Sequence, residues 1–211
     1  MQMNRRKLLA TAPVALALGA PSVSFAQLGS LFGGKSAGGA GAGPDLSTQQ
    51  DQLVRTYVAA GKDVQAANQH LCDALGIQAA QINASASADS LSASDIEASD
   101  KAISDDTAAI AERLKSGAKL KSDEAKATYT KGLLSMATGV KKYLDMRNDA
   151  QGFASSLTSA SPLMIPKLKS GAYIAQNLPG NVSRMTDVLK NAVQFATSNG
   201  IPVPKDATSL I

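Results

Sequence analysis

The chain has no tryptophan, a single cysteine and a single histidine, and only 4% of its residues are aromatic. Each scarcity excludes a class of chemistry. With one cysteine, Cys72, no internal disulfide can form, so burial has to hold the fold. Zinc, iron and copper sites need several His or Cys ligands, whereas His70 and Cys72, two residues apart, point to different faces of a helix. A catalytic triad would have His70 as its sole base, and no G-x-S-x-G elbow accompanies it. Sugar and single-stranded nucleic-acid sites are built on stacked aromatics; past residue 44 the chain offers Tyr57, Tyr129, Tyr143, Phe153, Tyr173 and Phe195. These absences predict no metal, no cofactor and no nucleic-acid partner. Cys72 is expected as a buried, inert thiol and His70 as a surface or boundary residue.

Carboxylates fare no better as catalytic groups. Asp105-Asp106 and Asp123-Glu124 are adjacent pairs whose members diverge around a helix, and Asp95 and Glu97, two apart, also miss a common face. No D-x-D-x-D-G calcium loop occurs. Met136, Met146, Met164 and Met185 are dispersed, which suits core filling better than a copper site. Asn83-Ala84-Ser85 and Asn181-Val182-Ser183 match the glycosylation sequon, a match that is incidental if the chain carries a bacterial twin-arginine export signal.

What the chain does have begins at its N-terminus. Asn4-Arg5-Arg6-Lys7, an uncharged stretch to Ala20, and the small-x-small site Ser24-Phe25-Ala26 read as an export signal over residues 1–26. The Arg5-Arg6 pair before Leu8-Leu9 resembles a twin-arginine signal, with an ordinary secretory (Sec) signal as the alternative. About 13 apolar residues are too few to span a bilayer. The expected location is therefore periplasmic or secreted. Gly29-Ser30-Leu31-Phe32-Gly33-Gly34-Lys35-Ser36 matches the phosphate-loop pattern. It has no strand before it and a Gly/Ala run after it, and an exported chain lies away from ATP, so no nucleotide is expected. Residues 27–44 read as a Gly/Ala-rich flexible linker.

Residues 45–211 then form a single domain with unevenly distributed charge. From Asp45 to Glu112 there are 11 acidic and 3 basic residues; from Arg113 to Ile211 there are 6 acidic and 14 basic ones. Two accounts fit: acidic and basic helices packed side by side, or a basic face for an anionic partner. The candidate contacts on such a face are Lys115, Lys119, Lys121, Lys126, Lys131, Lys141 and Lys142.

Three- and four-residue apolar spacing predicts an all-α bundle of about five helices, some long and antiparallel. The first helix carries Leu53, Val54, Tyr57, Val58, Val64, Ala67, Leu71 and Leu75 and stops at Gly76. The second starts at Ser94 or Asp95, with Ile96, Ile103 and Ile110 seven apart. The longest, capped by Ser122, presents Tyr129, Leu133, Met136, Val140, Leu144, Arg147, Ala150, Phe153 and Leu157. A helix from Pro166 is expected to stop at Pro179-Gly180, and another runs from Asn181 to Asn199. Ile201-Pro202-Val203-Pro204 should lie extended. The function expected is a non-enzymatic exported bundle that binds a protein, an envelope component or an anionic lipid surface. A carrier holding a hydrophobic small molecule between Ala- and Gly-rich helices is the alternative. An enzyme whose site is assembled only by the tertiary fold is the second.

Overall fold

The structure is a computed structural model, and it describes residues 45–79 and 91–211. The export signal with Arg5, Arg6, Ser24 and Ala26, the linker, the 29–36 pattern and the Asn83 sequon lie outside the described residues. Among those described, every regular element is helical: α1 (Leu46–Leu75), α2 (Ala93–Lys115), α3 (Asp123–Asp145), α4 (Arg147–Leu157), α5 (Lys169–Ser198) and the short α6 (Lys205–Thr208). The chain is an all-α bundle, and all described residues belong to one compact unit.

Local chemistry sets the helix ends. The Asp45 carboxylate accepts from the Ser47 amide at 3.1 Å and starts α1. At the other end, Gly76 turns the chain out with φ 68°, a left-handed conformation that glycine adopts without a Cβ penalty. Ser92 and Asp95 form a reciprocal capping box, so α2 begins slightly ahead of the expected start. Ser122 accepts from the Ala125 amide, with Asp123 and Glu124 in the first turn where the helix dipole favours negative charge.

Three expectations are corrected. The helix expected from Pro166 is a single 3₁₀ turn there, Ile165–Lys167, and α5 starts only at Lys169. The long third helix divides at Met146 into α3 and α4. Across this break the buried face passes through Tyr143, Met146, Ala150 and Phe153 and leaves Arg147 exposed. The expected stop at Pro179 does not occur, because α5 runs through it as one helix. The buried positions Ile174, Leu178, Asn181, Val182, Met185, Val188 and Leu189 keep one face across the proline. Pro179 itself points to solvent, where the helix can open around its ring and water can satisfy the freed carbonyl. Continuous burial on the inner side outweighs the lost backbone bond. As expected, residues 201–204 are not helical; the short α6 after them is an addition to the expected elements.

Contacts between named residues set the directions. Gly132 of α3 lies against Ala67 and Leu71 of α1, and Gly139 against Ala60 and Val64, so α1 and α3 are antiparallel. Hydrogen bonds join residue 50 to 171, 57 to 100 and 68 to 107, so α2 and α5 run with α1. Tyr129 of α3 donates to the Ala192 carbonyl of α5 at 3.1 Å and stacks, tilted, on Phe195. One end of the bundle therefore holds the starts of α1, α2 and α5 with the end of α4. The opposite end holds the α2–α3 connection, Gly76, Gly200 and α6. The core between them includes Leu71, Ile96, Ile110, Tyr129, Leu133, Met136, Phe153, Ile174 and Leu189.

Candidate functional site: a lysine-bearing end and a buried carboxylate

The seven lysines read from the sequence do not form one face. Lys126 pairs with Asp123 at 3.3 Å, Lys141 with Asp145 at 2.6 Å, and Lys142 reaches Asp63 of α1 at 2.6 Å. Those three are engaged in pairs within the bundle. Lys115, Lys119, Lys121 and Lys131 are exposed and make no ion pair with a described residue. The first three sit on the tight connection from α2 to α3, where Gly117 adopts φ 73° and buried Ala118 holds the turn down. Lys131 lies two turns into α3. Lys141 and Lys142 are about 15 Å farther along that helix, at the helical rise of 1.5 Å per residue. The structure thus separates the seven into three lysines held in ion pairs and four exposed ones that make none with a described residue.

A second grouping escaped the sequence reading. The Asp100 carboxylate of α2 accepts from three side chains at one oxygen: the Tyr57 hydroxyl at 2.6 Å, the Tyr173 hydroxyl at 3.1 Å and the Asn181 amide at 3.1 Å. The Asn181 amide also donates to the Tyr57 oxygen. Arg184 donates to the Asn181 side-chain oxygen at 3.1 Å and to Ser104 at 2.6 Å, extending the network to the surface. Tyr57 packs its ring against Tyr143 of α3, with centroids 5.1 Å apart. One carboxylate thereby ties α2 to α1 and α5.

Burial dominates the electrostatics of this group. Desolvation raises the Asp100 carboxyl above the ordinary carboxylate range despite the hydrogen bonds and Arg184, which pull it down. The phenols move upward as well. Desolvation and the neighbouring Asp100 charge push Tyr173 up to about 12, and burial raises Tyr57 and Tyr143 further. These tyrosines are therefore firmly protonated donors at neutral pH, and none is poised as a base. Its hydrogen bonds reach from helix to helix, an arrangement suited to fixing helix register.

A sequence signal for this group existed in the α2 stripe. Ile96, Ile103 and Ile110 occupy one position of a seven-residue repeat, and Asp100, Thr107 and Leu114 occupy the other core position. Asp100 and Thr107 are thus polar residues at core positions. Thr107 is buried and accepts from Asn68 of α1 at 3.2 Å, while the same Asn68 amide donates to the Ile103 carbonyl at 3.2 Å. The Asn68 side-chain oxygen is buried with no hydrogen-bond partner among the described residues.

The remaining sequence-derived residues fall into place individually. Cys72 is fully buried, and desolvation, with Asp106 and Asp73 nearby, pushes its thiol up to about 11, so little thiolate forms at neutral pH. His70 is half-buried. Met136, Met146 and Met185 are core residues, while Met164 is partly buried. Asn181 is buried and engaged, so its sequon is inaccessible to a glycosyltransferase. Among the described residues, no three His, Cys, Asp or Glu side chains converge for a metal ion. No helix among them is long and apolar enough to cross a membrane.

The small residues behind the carrier alternative lie in contact. A Cβ at Gly139 would sit 2.6 Å from Val64 Cγ2, and one at Gly132 would sit 2.8 Å from Leu71 Cγ. Along this seam, glycine lets two backbones approach closely and leaves no room at either position. Against known protein families, curated proteins and solved structures, the chain has no match.

Proposed function

We propose that this chain is an exported, non-enzymatic helical-bundle protein that binds an anionic protein or envelope component through its lysine-bearing end. The observation that carries the reading is the separation among the lysines. Lys126, Lys141 and Lys142 are held in ion pairs, whereas Lys115, Lys119, Lys121 and Lys131 are exposed and make none with a described residue. Cations free of local partners keep their field for a ligand, and a cluster of them attracts an anionic surface over roughly a Debye length. The connection that bears three of them is ordered by Gly117 and Ala118, so it presents its charges from a fixed turn.

The test is binding of purified residues 27–211 to envelope fractions cleared of membrane lipid, at low and high salt. The comparison protein carries Lys115→Gln, Lys119→Gln, Lys121→Gln and Lys131→Gln together. Binding should weaken with salt and fall sharply in the fourfold variant, while Lys141→Gln has little effect. A salt-insensitive interaction, or one that the fourfold variant retains, would overturn the reading.

A further inference from the structure

We propose that the turn between α4 and α5 is a membrane-surface tip that inserts Leu163 and Ile165 into the interface of an anionic lipid bilayer. Leu163 is 85% exposed and Ile165 51%, the two most exposed large apolar residues among those described. They stand on a built turn. Met164 donates its amide to Ser161 at 2.8 Å, Lys167 to Met164 at 2.9 Å and Leu168 to Ile165 at 3.1 Å. Pro162 and Pro166 restrict the backbone on either side. The turn is braced from beneath by fully buried Leu168, and Phe153 packs so closely on Gly171 that a Cβ there would lie 2.6 Å from its ring. Gln50 of α1 locks the base, donating to the Lys167 carbonyl and accepting from the Gly171 amide, both at 3.0 Å. An apolar point held in place in this way loses little freedom when it is buried.

Charge around the tip selects the occupant. No charged residue occurs between Asp149 and Lys167, so nothing in this stretch resists entry into a low-dielectric layer. The first charges at its base, Lys167 and Lys169, are both cationic, exposed and without an ion pair to a described residue. Of the acidic groups at this end, Asp45 and Asp95 hold their carboxylates on their own helix starts, leaving Asp51 on α1 and Glu97 on α2 as exposed anions against the two lysines. Apolar side chains with lysines at their base match the two layers of an anionic membrane surface, acyl chains below phosphate headgroups. A projecting point fits a fluid surface without needing a shaped cleft. The tip lies at the opposite end of α1 from Lys115, Lys119 and Lys121, a helix of about 45 Å at 1.5 Å per residue, so this inference does not depend on the lysine-bearing end.

The absence of tryptophan supplies the probe. In residues 27–211, which keep every described helix, Leu163→Trp places a single indole at the tip. Its emission should shift to the blue with phosphatidylglycerol-containing vesicles and much less with phosphatidylcholine alone. Without the reporter, co-sedimentation with the anionic vesicles should be lost in Leu163→Asp/Ile165→Asp and weakened in Lys167→Gln/Lys169→Gln. It should survive the fourfold change at Lys115, Lys119, Lys121 and Lys131. Circular dichroism should be unchanged, since the altered side chains are exposed. No blue shift, or vesicle binding that survives Leu163→Asp/Ile165→Asp, overturns the proposal. So does self-association abolished by that double change, which would make a second copy the occupant.

Discussion

Helix α1 meets its neighbours in two different ways. Toward α3 it presents Ala60, Val64 and Ala67, and α3 answers with Gly132 and Gly139 at contact distance, a seam made by shape. Toward α2 and α5 it presents Tyr57 and Asn68, which bond Asp100, Asn181 and Thr107, a junction made by hydrogen bonds. The contrast teaches what each arrangement specifies. A glycine seam fixes distance and is intolerant of volume. A polar junction fixes register, because sliding a helix by one turn would strand buried donors and acceptors. The two together let a chain without disulfides and with few aromatics hold one arrangement.

The largest effect should come from breaking the seam. Gly139→Val adds a branched side chain where even a Cβ lies 2.6 Å from Val64 Cγ2 and 3.1 Å from the Ala60 carbonyl oxygen. The backbones would have to separate, and the expected loss is about 3 kcal/mol or more in urea unfolding. Gly152→Ala is the control, since nothing lies within 4 Å of that position. It should gain about 0.5–1 kcal/mol from helix propensity. If Gly139→Val unfolds with an unchanged midpoint, shape is not what holds α1 to α3.

At the polar junction the effect should be smaller. Tyr57→Phe keeps the ring on Tyr143 and removes one donor from Asp100, which retains Tyr173 and Asn181. A hydrogen bond to a charged group suggests a loss of about 1.5–3 kcal/mol. The same substitution should change the Gly139→Val penalty little, because it keeps the Tyr57 ring on Tyr143 and removes only the hydroxyl directed at Asp100. Strong coupling in a double-mutant cycle would mean that seam and junction are one unit.

The junction should also be sensitive to pH. Because burial raises the carboxyl of Asp100 in the folded state, the folded chain binds that proton more tightly than the unfolded chain. Its contribution to stability is full below the ordinary unfolded value of about 3.9 and is lost as pH rises through the higher folded value. Asp100→Asn removes this titration. The stability of the parent minus that of the variant should therefore fall as pH rises across the window and be flat above it. Urea midpoints measured against pH decide this, and a difference that grows with pH would mean that the hydrogen bonds outweigh desolvation.

The seam and the junction also differ in how far they could be read from sequence. The faces of α1 and α2 follow from apolar spacing, and Ile96, Ile103 and Ile110 are buried as their repeat requires. The expected α3 face drifted after Val140, through Leu144 to exposed Arg147. The reason is that the helix breaks at Met146 and no local residue signals it. Pro179 misled for a different reason: its effect on the helix depends on which side faces water, a tertiary fact. Of the site, the four exposed lysines were named but not distinguished from the three paired ones, since Lys142 finds Asp63 only when α1 and α3 meet. The Asp100 network joins residues 57, 100, 173 and 181 from three helices, so no local spacing could display it. Asp100 standing midway in the isoleucine stripe was its one trace.

The smallest expected effect tests whether the α1–α3 seam is as purely steric as its glycines suggest. Lys142 of α3 and Asp63 of α1 face each other across its edge, with nitrogen and oxygen 2.6 Å apart. Their alignment is poor for a hydrogen bond, as that oxygen, the buried one of the Asp63 carboxylate, makes none with a described residue. The side chains are 40% and 30% exposed, so water and salt screen the pair. Exposed pairs of this kind contribute about 0–1 kcal/mol. Lys142→Gln should therefore cost less than about 1 kcal/mol, and the loss should shrink as salt is added. A larger loss that salt leaves unchanged would place a buried ion pair within the seam. Electrostatics would then share with Gly132 and Gly139 the task of holding α3 against α1.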